Sequence, residues 1–199
     1  MSGDIIDSAF LEWTSGLPLQ EQLISIFLHI RDIPYALVPS LGNQMSGPEQ
    51  LLYIGKGSCG PKHHLLGSLF TRLGIPVRYQ LWPFLWNDPE LLFPPDLRAS
   101  AAGLGITSHL ACLAFLNEKW VLVDATWDLS LEKGGFPVNQ SWDGRSDTLL
   151  AVHPVNREDH PGFFNTPVPR SRNVKTGKAG RGEFVDLFNA WLDQVRYRA

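Results

Sequence analysis

Between Gly55 and Val77 the chain carries a helix whose two ends are both legible. Gly55-Lys56-Gly57-Ser58-Cys59-Gly60-Pro61 opens it, an apolar helical pattern runs from about Pro61 to Leu73, and Gly74 closes it with Pro76 just beyond. A strand pattern, Val77 to Trp82, begins at once afterwards. Counted along the helix, Cys59, His63, Leu66, Phe70 and Leu73 share a face, and the last three form a stripe that must pack on a sheet. The Cys59 thiol is therefore expected to point inward. Its place immediately before a helix matters chemically, because unpaired backbone N–H groups and the helix dipole favour a negative charge there and lower a thiol pKa.

The rest of the chain fits one domain. With 199 residues, 44% of them hydrophobic, there is apolar material for one well-buried core and too little sequence for several. The spacing of Leu23, Ile26, Phe27 and Ile30 predicts a core-facing helix from Leu19 to Arg31, with Pro18 at its start. Residues 39–48 read as a loop leading into a short apolar segment, Glu49 to Ile54. Pro83 to Ser108 reads as an irregular excursion with one short helix near Asp96 to Ala102, and Trp82, Phe84, Leu85 and Trp86 at its start are expected to rim a substrate cleft. A strand is expected at Thr148 to Val152. The last helix, Glu183 to Arg196, places Phe184, Leu187, Phe188, Trp191 and Val195 on one face and is expected to close the core.

His109 to Leu116 and Trp120 to Thr126 form a predicted antiparallel hairpin around Asn117-Glu118-Lys119. Its register decides whether the chain can do acyl-transfer chemistry. With an Asn117-Glu118 loop, or a four-residue loop in the same register, Asp124 lies opposite Ala111, and His109 and Asp124 are diagonal neighbours on one face. A three-residue loop would put them on opposite faces. In the even register a carboxylate orients the imidazole and the imidazole takes the thiol proton, which is a Cys-His-Asp relay.

These residues resemble the transglutaminase-like superfamily. The resemblance lies in Gly57-Ser58-Cys59-Gly60 continuing to Leu73-Gly74-Ile75-Pro76-Val77-Arg78, then His109, then Trp120-Val121-Leu122-Val123-Asp124-Ala125-Thr126. Ile30-Arg31-Asp32-Ile33-Pro34-Tyr35 and Pro48-Glu49-Gln50-Leu51-Leu52 are similar to the lead-in of such domains. The likeness covers a core of about residues 20–128, leaving 129–199 as a C-terminal extension of the same domain. It implies an α+β, papain-like/transglutaminase-like core in which a nucleophile helix packs on an antiparallel sheet. It also implies a thiol acyl-enzyme mechanism with Cys59, His109 and Asp124 as catalytic residues and no metal or cofactor. The acyl acceptor varies across the superfamily, an amine in transglutaminases proper and water in its peptidases. Hydrolysis of a peptide or carboxamide is the expectation here, with amine transfer, or a catalytically inactive binding domain of the same fold, as alternatives.

An oxyanion formed at Cys59 would need the Cys59 N–H and one side-chain donor from the preceding segment, for which Gln44 and Tyr53 are the candidates. Cys59 and His63 are spaced so that, with His109, they offer a metal site as a competing reading. In the plainer reading one of His63 and His64 packs beside the site and the other is solvated. Cys112, mid-strand among apolar residues, reads as a core residue. Gly55-Lys56-Gly57-Ser58 is not a phosphate loop, because position 50 is not glycine.

Seventeen basic against twenty acidic residues argue against a nucleic-acid binder. The one basic stretch holds Arg170, Arg172, Lys175, Lys178 and Arg181, reads as a solvated loop, and would suit an acidic partner if it has one. No run approaches the roughly 18 apolar residues of a membrane span, and the first residues lack a secretory pattern, so a cytoplasmic protein is expected. Asn139-Gln140-Ser141 matches a glycosylation acceptor only by chance on that expectation. The partner expected at the cleft is a peptide, a protein or a small amide.

Overall fold

The computed structural model describes residues 5–41, 47–156 and 178–197. In chain order the elements are α1 (Ile5–Thr14), α2 (Leu19–Asp32), α3 (Gly47–Ile54), α4 (Cys59–Arg72), β1 (Val77–Leu85), α5 (Pro95–Ala102), β2 (Ile106–Leu116), β3 (Lys119–Val123) and α6 (Lys178–Tyr197), with 3₁₀ turns at Pro39–Leu41 and Leu129–Gly134. The strands form one antiparallel sheet in the order β1-β2-β3. Among the described residues no helix is long and apolar enough to cross a membrane.

Each face of the sheet covers its own apolar cluster. On one face Cys112, Ala114, Val121 and Val123 meet Leu65, Leu66, Leu69 and Phe70 of α4, with α1, α2 and Leu51 of α3 behind. Close contact there requires a glycine: a Cβ on Gly67 would collide with the Tyr79 hydroxyl and lie 3.1 Å from Val77. On the other side Phe84 and Trp86 join Phe93, Trp127 and Phe136 around Phe184, Phe188 and Trp191 of α6. Phe188 is fully buried in that aromatic group, which at about 25 cal/mol per Å² makes its burial worth about 2–3 kcal/mol.

The helices expected at 19–31 and 183–196 and the hairpin are present, and three expectations need correction. The excursion is shorter than 83–108, because β1 continues through Pro83 to Leu85 and β2 starts at Ile106, three residues before His109. Pro83 is tolerated because β1 is an edge strand, where a missing N–H breaks no second ladder. Phe84 and Trp86 are core residues and not an exposed rim, since Trp86 packs on Phe184 and Phe188 of α6 and Phe84 packs on Trp86. Residues 148–152 form no strand; they run beside the end of β3, joined to it by the Thr148 N–H on the Leu122 carbonyl at 3.0 Å. The α1 helix was not anticipated at all. The basic stretch at 170–177 lies outside the described residues, and Lys178 opens α6.

Candidate active site

The β2-β3 turn is the two-residue Asn117-Glu118 loop, with φ of +48° and +65° at its two residues. Positive φ at both positions defines a type I′ turn, whose twist matches that of the strands it joins. Cys112 accordingly pairs with Val123, the even register, and Asp124 follows directly on the face shared with His109. His109 Nε2 lies 2.8 Å from Asp124 Oδ2.

Cys59 reaches His109 by a route the helical stripe did not reveal. α4 packs on the Cys112 face, whereas His109 and Asp124 are on the opposite face by strand alternation. The two meet because β3 is short: it pairs only with residues 112–116 of β2 and leaves the first half of that edge open. The Phe115 N–H bonds Pro76 O on the β1 side. Alternation then turns the Leu110 N–H to the side where β3 has ended, and there it hydrogen-bonds the Cys59 sulfur. The N-terminus of α4 thus stands where a longer β3 would have been.

Cys59 is the first residue of α4 and is half-buried; Ser58 caps the helix with extended backbone and makes no side-chain capping bond. The first-turn N–H groups are therefore free to face negative charge. A side chain on Gly57 would place its Cβ 2.6 Å from Leu51, so only glycine lets this turn lie against α3. Gly57 also pairs with the Tyr35 segment through the Gly57 N–H on Pro34 O and the Ala36 N–H on Gly57 O, both 3.1 Å.

Electrostatics favour the charged forms of these groups. Burial alone would raise the Cys59 thiol, but its hydrogen bond with His109, the charge of His109 and the Leu110 N–H outweigh burial and lower it. Burial would likewise lower His109, yet the charge and hydrogen bond of Asp124, with help from Cys59, raise it to about 10. Asp124 is held far below the usual carboxylate range, its burial overcome by His109 and by hydrogen bonds. Its Oδ2 also accepts the Ala151 N–H at 2.9 Å, and Oδ1 accepts Thr126 Oγ1 at 2.6 Å and the Thr126 N–H at 3.2 Å. The Asp124 backbone is gripped as well, its N–H by Thr148 Oγ1 at 2.8 Å and its carbonyl by Asn139 Nδ2 at 3.0 Å.

This pair has a stability signature. Below about pH 8.5 and above about pH 6.5 an unfolded chain carries a thiol and a neutral imidazole, the same proton count as thiolate plus imidazolium, so the pair adds no slope to wild-type stability in that window. In Cys59→Ala only His109 remains, still raised by Asp124. A raised folded pKa gives stability that is complete below about pH 6.5 and is lost as pH rises through the folded value. Urea unfolding of Cys59→Ala should therefore lose stability relative to wild type on going from pH 6.5 to 8, by up to about 1.4 kcal/mol per pH unit. Parallel pH profiles for the two proteins would show that no such ion pair exists.

Of the two oxyanion candidates, Gln44 lies outside the described residues, and Tyr53 is 74% exposed on α3. Tyr35, not one of those two and marked in the sequence only as the end of the 30–35 lead-in, lies on the segment that pairs with Gly57. Its ring lies 4.3 Å from that of Trp127, its hydroxyl has no partner among the described residues, and burial together with the negative charges of Cys59 and Asp124 keeps it protonated well above pH 10. Arg196 of α6 holds this segment, donating to Tyr35 O at 2.7 Å and to both oxygens of Asp128, which itself accepts the Tyr35 N–H at 2.8 Å. Lys62 carries no sequence signal for the site, whereas the plainer reading of the two histidines, one beside the site and one toward solvent, matches the structure. His63 is buried beside Asp124 and His64 is half-exposed against Tyr79. Cys112 is fully buried. Among the described residues no group of three or more His, Cys, Asp and Glu is placed to hold a metal ion.

The chain therefore presents an α+β core in which a cysteine at a helix N-terminus stands beside an antiparallel sheet whose β2 carries His109 and whose β3 leads into Asp124. No family model matches the sequence, and no curated protein matches it. Among solved structures, the "putative cysteine protease" of Cytophaga hutchinsonii is similar over 65% of this chain and 39% of its own, with 19% identity and a TM-score of 0.44. The "putative protease" of Parabacteroides distasonis is similar over 65% of this chain and 24% of its own, with 18% identity and a TM-score of 0.39. This chain thus spans well under half the length of either.

Proposed function

We propose that the protein is a thiol-dependent acyl-transfer enzyme that hydrolyses a peptide or carboxamide bond. The observation that carries this reading is the buried 2.8 Å pairing of His109 Nε2 with Asp124 Oδ2 beside Cys59, the first residue of α4, whose thiol pKa His109 and the Leu110 N–H draw down. Thiolate, imidazolium and carboxylate in that order are what nucleophilic attack on an amide requires.

Cys59 attacks the carbonyl carbon, and the carbonyl π electrons move to oxygen. The oxyanion is stabilised by the Cys59 N–H at the uncapped end of α4 and by the Tyr35 hydroxyl. His109 gives its proton to the leaving nitrogen as the C–N bond breaks, which leaves a thioester. Neutral His109 then takes a proton from water, whose oxygen attacks the thioester, and the acid leaves as the thiolate returns. Asp124 stabilises the imidazolium at both ends of the cycle and keeps its own charge. Tyr35→Phe should slow acylation about a hundredfold with the fold unchanged, read as single-turnover rate; a change under about threefold would remove Tyr35 from the oxyanion site.

The direct test is alkylation by iodoacetamide with peptide mapping, using Cys112 as the internal control. Cys59 should react rapidly below pH 7 and slow in His109→Ala, and an activated amide or ester should leave an acyl mass on Cys59. Water as acceptor would appear as release of the free acid that an added amine does not accelerate. A Cys59 titrating near the free-thiol value of about 8.5, unaffected by the substitution, would leave a binding domain on an enzyme's fold.

A further inference from the structure

A second histidine lies against Asp124, and the acyl-transfer scheme makes no use of it. His63 is fully buried. Its Nε2 accepts the Ala125 N–H at 3.0 Å and lies 3.4 Å from Asp124 Oδ1, whereas His109 holds Oδ2. A ring nitrogen accepting an N–H at that distance is bare, so the proton sits on Nδ1. Nδ1 has no hydrogen-bond partner among the described residues, an unfavourable state for a buried donor. An apolar residue in this stripe would avoid that cost but would strand the buried Ala125 N–H beside the acid. The His63 ring also meets that of His109 edge to face, centroids 5.8 Å apart and planes at 77°.

The charged and titratable groups facing His63 are Asp124 and His109 from the sheet side and Lys62, with His64, on its own helix. Burial outweighs the pull of Asp124, and the cations His109 and Lys62 add to burial, so His63 is neutral. A protonated His63 would turn its Nε2 into a donor, release the Ala125 N–H and set a second cation on Asp124. We propose that His63 is a positioning residue: as a neutral imidazole protonated on Nδ1, it fixes the peptide after Asp124 and the plane of His109, so that the carboxylate charge serves His109 alone. The inference rests on the acyl-transfer reading of Cys59, His109 and Asp124.

Imidazole ¹⁵N spectra of the intact protein test the tautomer without any substitution. His63 should stay neutral with a bare Nε2 from about pH 5 to about pH 8; an imidazolium, or a proton on Nε2, overturns the proposal. Alkylation profiles of Cys59 test the consequence. His63→Leu should raise the midpoint by about one pH unit, about tenfold slower reaction on the acid side, and His63→Gln, whose carbonyl can accept the Ala125 N–H, should restore it to within about threefold. A His63→Leu profile equal to wild type overturns the proposal, as does a His63→Gln protein as unreactive as His109→Ala; the second comparison and the spectra stand even if His63→Leu does not fold. If His109→Ala itself leaves the midpoint unmoved, the acyl-transfer reading fails; if it moves and His63→Leu does not, only the role of His63 falls.

Discussion

Asp124→Asn should lower the acylation rate at Cys59 by about 10⁴-fold, the scale seen when a triad carboxylate becomes an amide. Asp124 is 1% exposed and accepts four hydrogen bonds, two on each oxygen, from His109 and the Ala151 N–H on one side and from Thr126 Oγ1 and N–H on the other. An amide has one oxygen. If that oxygen faces His109, the amide NH₂ meets the Thr126 N–H; if the amide is reversed, its NH₂ meets the Ala151 N–H and forces His109 to present a bare Nε2, the wrong tautomer for receiving the Cys59 proton. Either way the charge is gone, and His109, 2% exposed, is left to the burial that lowers its pKa. The Cys59 alkylation midpoint should rise toward that of a free thiol while thermal unfolding remains a single transition. An Asp124→Asn protein within about tenfold of wild type would mean that Asp124 is a structural acid.

How much of this could be read in advance depended on the range of the interactions. α2, α4 and α6 were legible because their apolar positions repeat with the helical period, and the Asn117-Glu118 turn fixed the parity that brings His109 and Asp124 together. Nothing local marks Trp86 as core, because the helix it packs on begins about ninety residues later. Asn139, which looked like no more than a chance glycosylation acceptor, brackets the loop beside the acid, donating to Asp124 O and Leu149 O and accepting the Leu149 N–H. Such bonds have no period and leave no local trace. The route of Cys59 past the end of β3 was hidden for another reason. Helical periodicity tells which face of a helix is apolar but not where the neighbouring strand stops.

Lys62→Met should destabilise the protein by about 3–5 kcal/mol, a larger effect than removing an ordinary surface charge. A lysine four residues from a helix start would normally be solvated, yet Lys62 is 0% exposed. Its Nζ lies within hydrogen-bond distance of Arg31 O at 3.0 Å, Ile33 O at 2.8 Å and Thr126 O at 2.7 Å, so the ammonium can serve all three carbonyls and the neutral amine that prevails above about pH 7 two of them. Arg31 and Ile33 lie at the C-terminal end of α2, where unpaired carbonyls and the helix dipole favour a cation, and Thr126 lies two residues beyond Asp124. Lys62 therefore ties the nucleophile helix to α2 and to the loop of the acid at a single point. Methionine fills a similar volume and relieves the desolvation that draws the Lys62 pKa down to about 7, but it leaves three buried carbonyls without a donor. The pH dependence separates these two effects. Because the folded pKa lies below the unfolded value of about 10.4, the unfolded chain binds more protons between about pH 7 and that value, so wild-type stability gains with rising pH across this window. The gap between wild type and Lys62→Met should therefore widen from pH 7 to pH 9 in urea unfolding, and the mutant should also lose Cys59 reactivity as the Asp124 loop loosens. A gap that stays constant from pH 7 to pH 9 would mean that the amine is held as a charge by Asp128, Asp124 and Asp32, protonated in both states across this window, and equal stability would mean that the three segments hold together without it.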